Sequence, residues 1–150
     1  MTAVSASSTS SRSTSFVSIE FPLSRRWSPF GPIVEPKILI EVRTQVGYRG
    51  RHFLVDTGAD VSVAPRNLAR LVGHAWESMP VFMVAGVGPG NVPAKLGTLP
   101  IRIGAIEFSV RCLFLDQRVA PYILGCADVL DRFVLTIDAG QRKVVFTEIS

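Results

Sequence analysis

The residues of this chain best suited to chemistry are Asp56-Thr57-Gly58-Ala59-Asp60, which follow the apolar run Phe53-Leu54-Val55. A carboxylate at the inner end of an apolar strand faces a desolvation cost that function usually explains, so Asp56 is a candidate general acid or base. Thr57 can donate its hydroxyl to a neighbouring carbonyl, Gly58 permits a sharp change of direction and Ala59 takes little room. Together they could present one face of Asp56 in a tight loop. The same residues also fit an Asx-type turn, in which Asp56 and Thr57 only satisfy backbone groups at a strand end. His52 and His74 are isolated, and Cys112 and Cys126 lack metal-ligand spacing and read as small buried thiols in preference to a disulfide. No metal site and no Ser/Cys-His arrangement is predicted.

Elements on both sides must position that loop. Ile38, Ile40 and Val42 alternate with Leu39, Glu41 and Arg43, the period of a strand with one core face, and Gly47-Tyr48-Arg49-Gly50 is the expected turn back into 53–56. After an extended 61–63, Pro65 suits the first turn of a short helix that puts Leu68, Leu71 and Val72 on the core and ends at Gly73. Segments 81–84 and 96–103 flank Gly86-Val87-Gly88-Pro89-Gly90 as the arms of a hairpin would. Those glycines suit either close approach to a ligand backbone or an ordinary solvent loop, and no Gly-Lys-Ser/Thr ending makes them a phosphate loop. Further strands are expected at 107–115, 122–124, 133–137 and 143–146. Short, frequent strands with one or two brief helices predict an all-β domain with a closed or partly closed core, and periodicity alone does not separate a sandwich from a small barrel.

Residues 1–18 are rich in Ser and Thr and nearly devoid of large apolar side chains, so a disordered tail is expected. Its lack of an apolar h-region argues against a secretory signal, and no later stretch has the length of a membrane helix, which makes the cytoplasm the default location. Arg12 among hydroxyl residues is faintly like an organelle transit segment, without an amphipathic helix. Segment 19–36 holds Pro22, Pro29, Pro32 and Pro36 and reads as an extended arm, with Trp27 and Phe30 pinning it to the domain or to a second subunit. Residues 37–150 form the remaining domain. The net charge of +4 comes partly from Arg12, Arg25 and Arg26, and no basic cluster resembles a nucleic-acid groove.

Asp56-Thr57-Gly58-Ala59, preceded by hydrophobic residues and followed by Asp60, resembles the active-site signature of aspartic peptidases, most closely the retroviral (retropepsin-like) type. Tyr122-Ile123-Leu124-Gly125 with Cys126-Ala127-Asp128-Val129-Leu130 is similar to that family's apolar-apolar-glycine strand and the short helix after it. Ala85-Gly86-Val87-Gly88-Pro89-Gly90 is similar to the tip of its flap. The resemblance spans roughly residues 36–147. It implies a small closed or partly closed barrel that works as a homodimer on a peptide or protein substrate, with neither metal nor organic cofactor; no membrane insertion is expected, because no stretch has the length of a membrane helix. It also implies that Asp56 is catalytic, that Thr57 and Gly58 hold the paired loops, and that Ala59, Asp60 and residues 86–90 bind peptide backbone. The alternative is a catalytically silent dimerisation or peptide-binding module on the same fold. Two departures stand out. Cys126 occupies the place of a basic residue that usually supports the acid corresponding to Asp60, which leaves Asp60 to Arg132, to a backbone amide or to solvent. One extra residue also precedes Asp128-Val129-Leu130 and shifts the register of the expected helix.

Overall fold

The structure, a computed structural model, describes residues 17–85, 90–117 and 119–149. The alternation of Ile38, Ile40 and Val42 builds β4 (Lys37–Thr44), with those side chains buried. Thr44 ends the strand: its Oγ1 donates to the Gly47 carbonyl at 2.6 Å and accepts from the Val46 N–H at 3.2 Å. The turn therefore falls at Gln45 and Val46, with Gly47 at φ 102°, whereas Tyr48, Arg49 and Gly50 are already paired within β5 (Gly47–Val55). The glycines at 47 and 50 suggested a later turn, but the Thr44 hydroxyl fixes it earlier.

Segment 56–61 leads into β6 (Ser62–Pro65) and α1 (Arg66–Val72). Pro65 precedes the helix in extended conformation, and Gly73 closes it at φ 106° by donating to the Ala69 and Arg70 carbonyls. The inward stripe runs through Pro65, Leu68, Ala69 and Val72 at helical spacing. Leu71, expected inside, is exposed, and Ala69 takes that place.

A 3-10 turn at Trp76–Ser78 is followed by β7 (Val81–Val84), β8 (Val92–Ile103), β9 (Ile106–Leu115), β10 (Ile123–Leu124), β11 (Phe133–Asp138) and β12 (Lys143–Glu148). The main sheet has seven strands in the order β4-β5-β10-β6-β9-β8-β7. β8 is long enough to pair with β7 through residues 92–95 and also to meet β4 through Glu41↔Arg102 and Val42↔Ile101. The sheet thus curls back toward its first strand around Phe53, Leu68, Leu99, Ile101 and Phe114. The result is an all-β fold with one short α-helix among the described residues.

Segment 19–36 divides in two. β1 (Ser18–Pro22) pairs with β12 from Ser18↔Thr147 to Pro22↔Lys143, in the sheet β1-β12-β11, and Ile19 and Phe21 pack against the core. It begins inside the segment expected to be disordered, of which residues 1–16 lie outside the described residues. β2 (Ser24–Ser28) and β3 (Gly31–Glu35) form a separate two-stranded hairpin. Trp27 and Phe30 on it are 79% and 95% exposed, so neither pins the segment to its own domain. No helix among the described residues is long and apolar enough to cross a membrane.

Candidate active site

Val55 is the last residue of β5, and its N–H donates to the Pro36 carbonyl at 2.8 Å. One residue on, the Asp56 N–H donates to the Leu124 carbonyl at 3.0 Å. The chain then turns within Asp56's own reach: Oδ1 accepts from the Gly58 N–H at 2.9 Å, and the Asp56 carbonyl accepts from the Ala59 N–H at 3.1 Å. This is the Asx turn that the sequence allows. It also holds a half-buried carboxylate in one orientation, so the turn and the presented acid are one geometry and not rival readings.

The second stretch, distant in sequence, lands directly against this loop. β10 lies between β5 and β6, parallel to the first (Ile123↔Leu54, Leu124↔Val55) and antiparallel to the second (Ile123↔Val63). Past its end, the Gly125 N–H donates to Ser62 Oγ at 3.1 Å, the Cys126 N–H to the Ala59 carbonyl at 2.9 Å, and the Ala127 N–H to the Asp60 carbonyl at 2.9 Å. The Cys126 thiol adds a contact to the Thr57 carbonyl at 3.2 Å. Segment 57–62 is therefore held along its length by 125–127. A Cβ on Gly125 would sit 2.5 Å from the Val61 carbonyl carbon and oxygen and 2.9 Å from the Ala59 oxygen, so only glycine fits where the two backbones cross. Ser62 is a site residue that the pattern of the sequence does not single out. Its one signal is a hydroxyl between Val61 and Val63, fully buried in the fold.

The fold as a whole has a counterpart among solved structures. The chain is similar to a retropepsin-like aspartic protease from Rickettsia conorii at 18% identity and a TM-score of 0.60, covering 91% of this chain and 94% of that one. The chain has a retropepsin-like fold. EIAV protease in complex with an inhibitor is also similar, at 24% identity and a TM-score of 0.43, over 61% of this chain and 81% of that one. Neither a protein-family model nor a curated protein matches.

Within the retropepsin-like fold, the segment after Gly125 departs from expectation. Residues 126–132 form successive turns, not a helix, with Leu130 N–H bonded to the Cys126 carbonyl and Phe133 N–H to the Val129 carbonyl. Asp128 sits at φ 68°, which interrupts a right-handed helix. Its carboxylate accepts from the Arg111 backbone N–H at 2.8 Å and from the guanidinium at 2.9 and 3.2 Å, tying the turn to β9. Asp128 thus lies outside the Asp56 loop and braces the segment that holds it. Cys126 turns to Thr57, while the Asp60 side chain is exposed, without a hydrogen bond among the described residues. Arg132, considered as its partner, has its guanidinium over the Phe108 ring at 5.0 Å.

The Arg111 side-chain hydrogen bonds, the largest influence, outweigh the opposing desolvation and hold the Asp128 carboxyl below the usual carboxylate range. A carboxyl whose pKa is depressed on folding adds stability above its unfolded value and loses it as pH falls through its folded value. Asp128→Asn keeps a residue that tolerates positive φ and removes the charge. The variant is expected to melt below wild type at pH 7, and the gap should close as pH drops below about 4. Circular-dichroism melts at a series of pH values check this. A gap that is unchanged at pH 3 would show that the ion pair is not its source.

β7 and β8 form a hairpin, from Val81↔Lys95 to Val84↔Val92, so its second arm is 92–95 and not the expected 96–103, which pairs with β9 instead. Gly86, Val87, Gly88 and Pro89 lie outside the described residues, and Gly90 is exposed at φ 76°. Val84 and Ile123 pack against one small cluster of Val63, Ala94, Leu115 and Ala120, which couples the turn-proximal part of this hairpin to β10. Cys112 and Cys126 are free thiols; Cys112 is buried in β9, and desolvation pushes its thiol up, so it is an inert core residue. Among the described residues, no group of three or more His, Cys, Asp or Glu is arranged to hold a metal ion.

Proposed function

We propose that this chain is an aspartic endopeptidase whose active form is a homodimer, with Asp56 of each copy supplying one carboxylate. The observation that carries the reading is the Asp56 loop itself: an oriented, half-buried carboxylate at a strand end, clamped by 124–127. The retropepsin-like fold supports it, and so does the single Asp-Thr-Gly in 150 residues, since a dyad then needs a second copy. Two carboxylates at close range cannot both ionise cheaply, so the pair carries one shared proton. One Asp56 takes a proton from the attacking water while the other gives one to the carbonyl oxygen of the scissile peptide bond. Thr57 and Gly58 hold the paired loops, and Ala59, Asp60 and the 86–90 tip meet the backbone of an extended, apolar peptide. No metal or organic cofactor takes part.

The test is dilution. Specific activity on a peptide library, measured beside sedimentation at the same concentrations, is expected to fall as the dimer dissociates, following mass action. Constant specific activity in a demonstrably monomeric protein would overturn the two-copy dyad. A stable dimer without turnover on any peptide would instead favour the silent binding module.

A further inference from the structure

The β2–β3 hairpin has two unlike faces. Antiparallel partners share a face, and the registers Arg25↔Val34 and Trp27↔Pro32 put those four side chains together. All four are exposed, Trp27 at 79% and Val34 at 46%, and Phe30 at the tip is exposed at 95%. The other face looks to the body: Ile33 is half-buried, and Arg26, paired with Glu35 at 3.2 Å, lines with it a groove of about 310 Å³ shared with Leu54 and Tyr122. The tip is also built. Ser28 Oγ donates to the Gly31 carbonyl at 2.7 Å and accepts from the Phe30 N–H at 3.1 Å, so the two aromatics are carried on a set turn. An isolated two-stranded ribbon is marginal in water, and one that shows its large apolar side chains outward has a face left to bury.

What covers that face is indicated by where the hairpin is rooted. Ser24 Oγ at its base donates to the Glu35 and Lys37 carbonyls, and Pro36, the next residue after β3, accepts from the Val55 N–H beside Asp56. The ribbon therefore stands on the backbone that carries the lone carboxylate. Five residues at about 3.3 Å each take its tip roughly 16 Å from that base. A copy that brings a second Asp56 to the first is thereby brought close to the residues in which the hairpin is rooted.

We propose that the β2–β3 hairpin is a dimer clasp: Trp27, Phe30, Pro32 and Val34 of each protomer bury against the second copy, reciprocally across a two-fold axis. The inference rests on the two-carboxylate reading and adds to it the surface that stabilises the pair. Trp and Phe on a preset turn are suited to be anchors, because they bury large area at small entropic cost.

The experiment compares full-length wild type with Trp27→Ala/Phe30→Ala and with Val34→Lys, by sedimentation across concentration and, separately, by peptidase activity. All three positions are exposed, so both variants should melt like wild type at concentrations where wild type is monomeric. The expected result is a dimer dissociation constant raised by roughly tenfold or more, with activity lost on dilution and restored at high protein concentration. Unchanged dissociation constants in both variants would overturn the clasp, and so would a wild type that stays monomeric throughout. Weakened association in a wild-type dimer that lacks turnover would uphold the clasp and sink the peptidase reading alone. If the variants dimerise normally but lose affinity for peptide, the face is a substrate contact and the proposal fails.

Discussion

Asp56→Asn is expected to reduce peptide hydrolysis by at least roughly two orders of magnitude while the dimer stays folded, the loss typical of removing acid and base transfer. Asparagine is close in size, and its side-chain oxygen can still accept the Gly58 N–H that the Asp56 Oδ1 accepts at 2.9 Å. The turn should therefore survive, and a fall in rate would report the missing carboxylate and not a collapsed loop. Wild-type kcat/KM should peak in an acidic to mildly acidic window where the pair holds one proton, falling on the acid side as both acids protonate and on the alkaline side as both ionise. Rates for both proteins across pH, with folding checked at each point, decide the matter. Equal turnover by well-folded Asp56→Asn would reject the mechanism.

Gly125→Ala should be the most damaging single-methyl change near the site. Its Cβ would meet Val61 backbone atoms at 2.5 Å and the Ala59 oxygen at 2.9 Å, and backbone cannot swing aside as the end of a long side chain can. Relief requires 125–127 to move off 59–62, which strains the Gly125–Ser62, Cys126–Ala59 and Ala127–Asp60 bonds together. Overpacking typically costs about 1–3 kcal/mol, and the loss of these bonds puts this case at or above the upper end. For a chain of this size that corresponds to a fall in Tm of roughly 6 °C or more. Gly90→Ala is the control: no atom of the described residues lies within 4 Å of its Cβ position, although its φ of 76° imposes some strain. A Gly125→Ala protein as stable as wild type would mean that the loop and strand do not cross as closely as described.

How much of this was legible in the sequence depends on the range of the interaction. Ile38, Ile40 and Val42 announced β4, and Pro65 with Gly73 bracketed α1, because these signals lie within a few residues of the structure they specify. The same logic was available for β1, where Ile19 and Phe21 alternate with Ser18 and Glu20, but neighbouring prolines and hydroxyl residues masked it. The expected helix after Gly125 failed for the converse reason. Its local propensity was overridden by Asp128 turning out to Arg111, a partner on another strand.

By itself the sequence determined the local chemistry: an acid at the end of an apolar strand, a threonine and a glycine that let the chain turn around it, and a strand-rich chain with a single Asp-Thr-Gly. Only the tertiary structure decided what holds that acid in place. Ser62 meets Gly125 across 63 positions, and Cys126 meets Thr57 across 69. It also decided that Trp27 and Phe30 face away from their own domain. No periodicity encodes such pairings. They arise because β10 enters between β5 and β6 in a seven-stranded sheet, where every strand's position depends on its neighbours from distant parts of the chain.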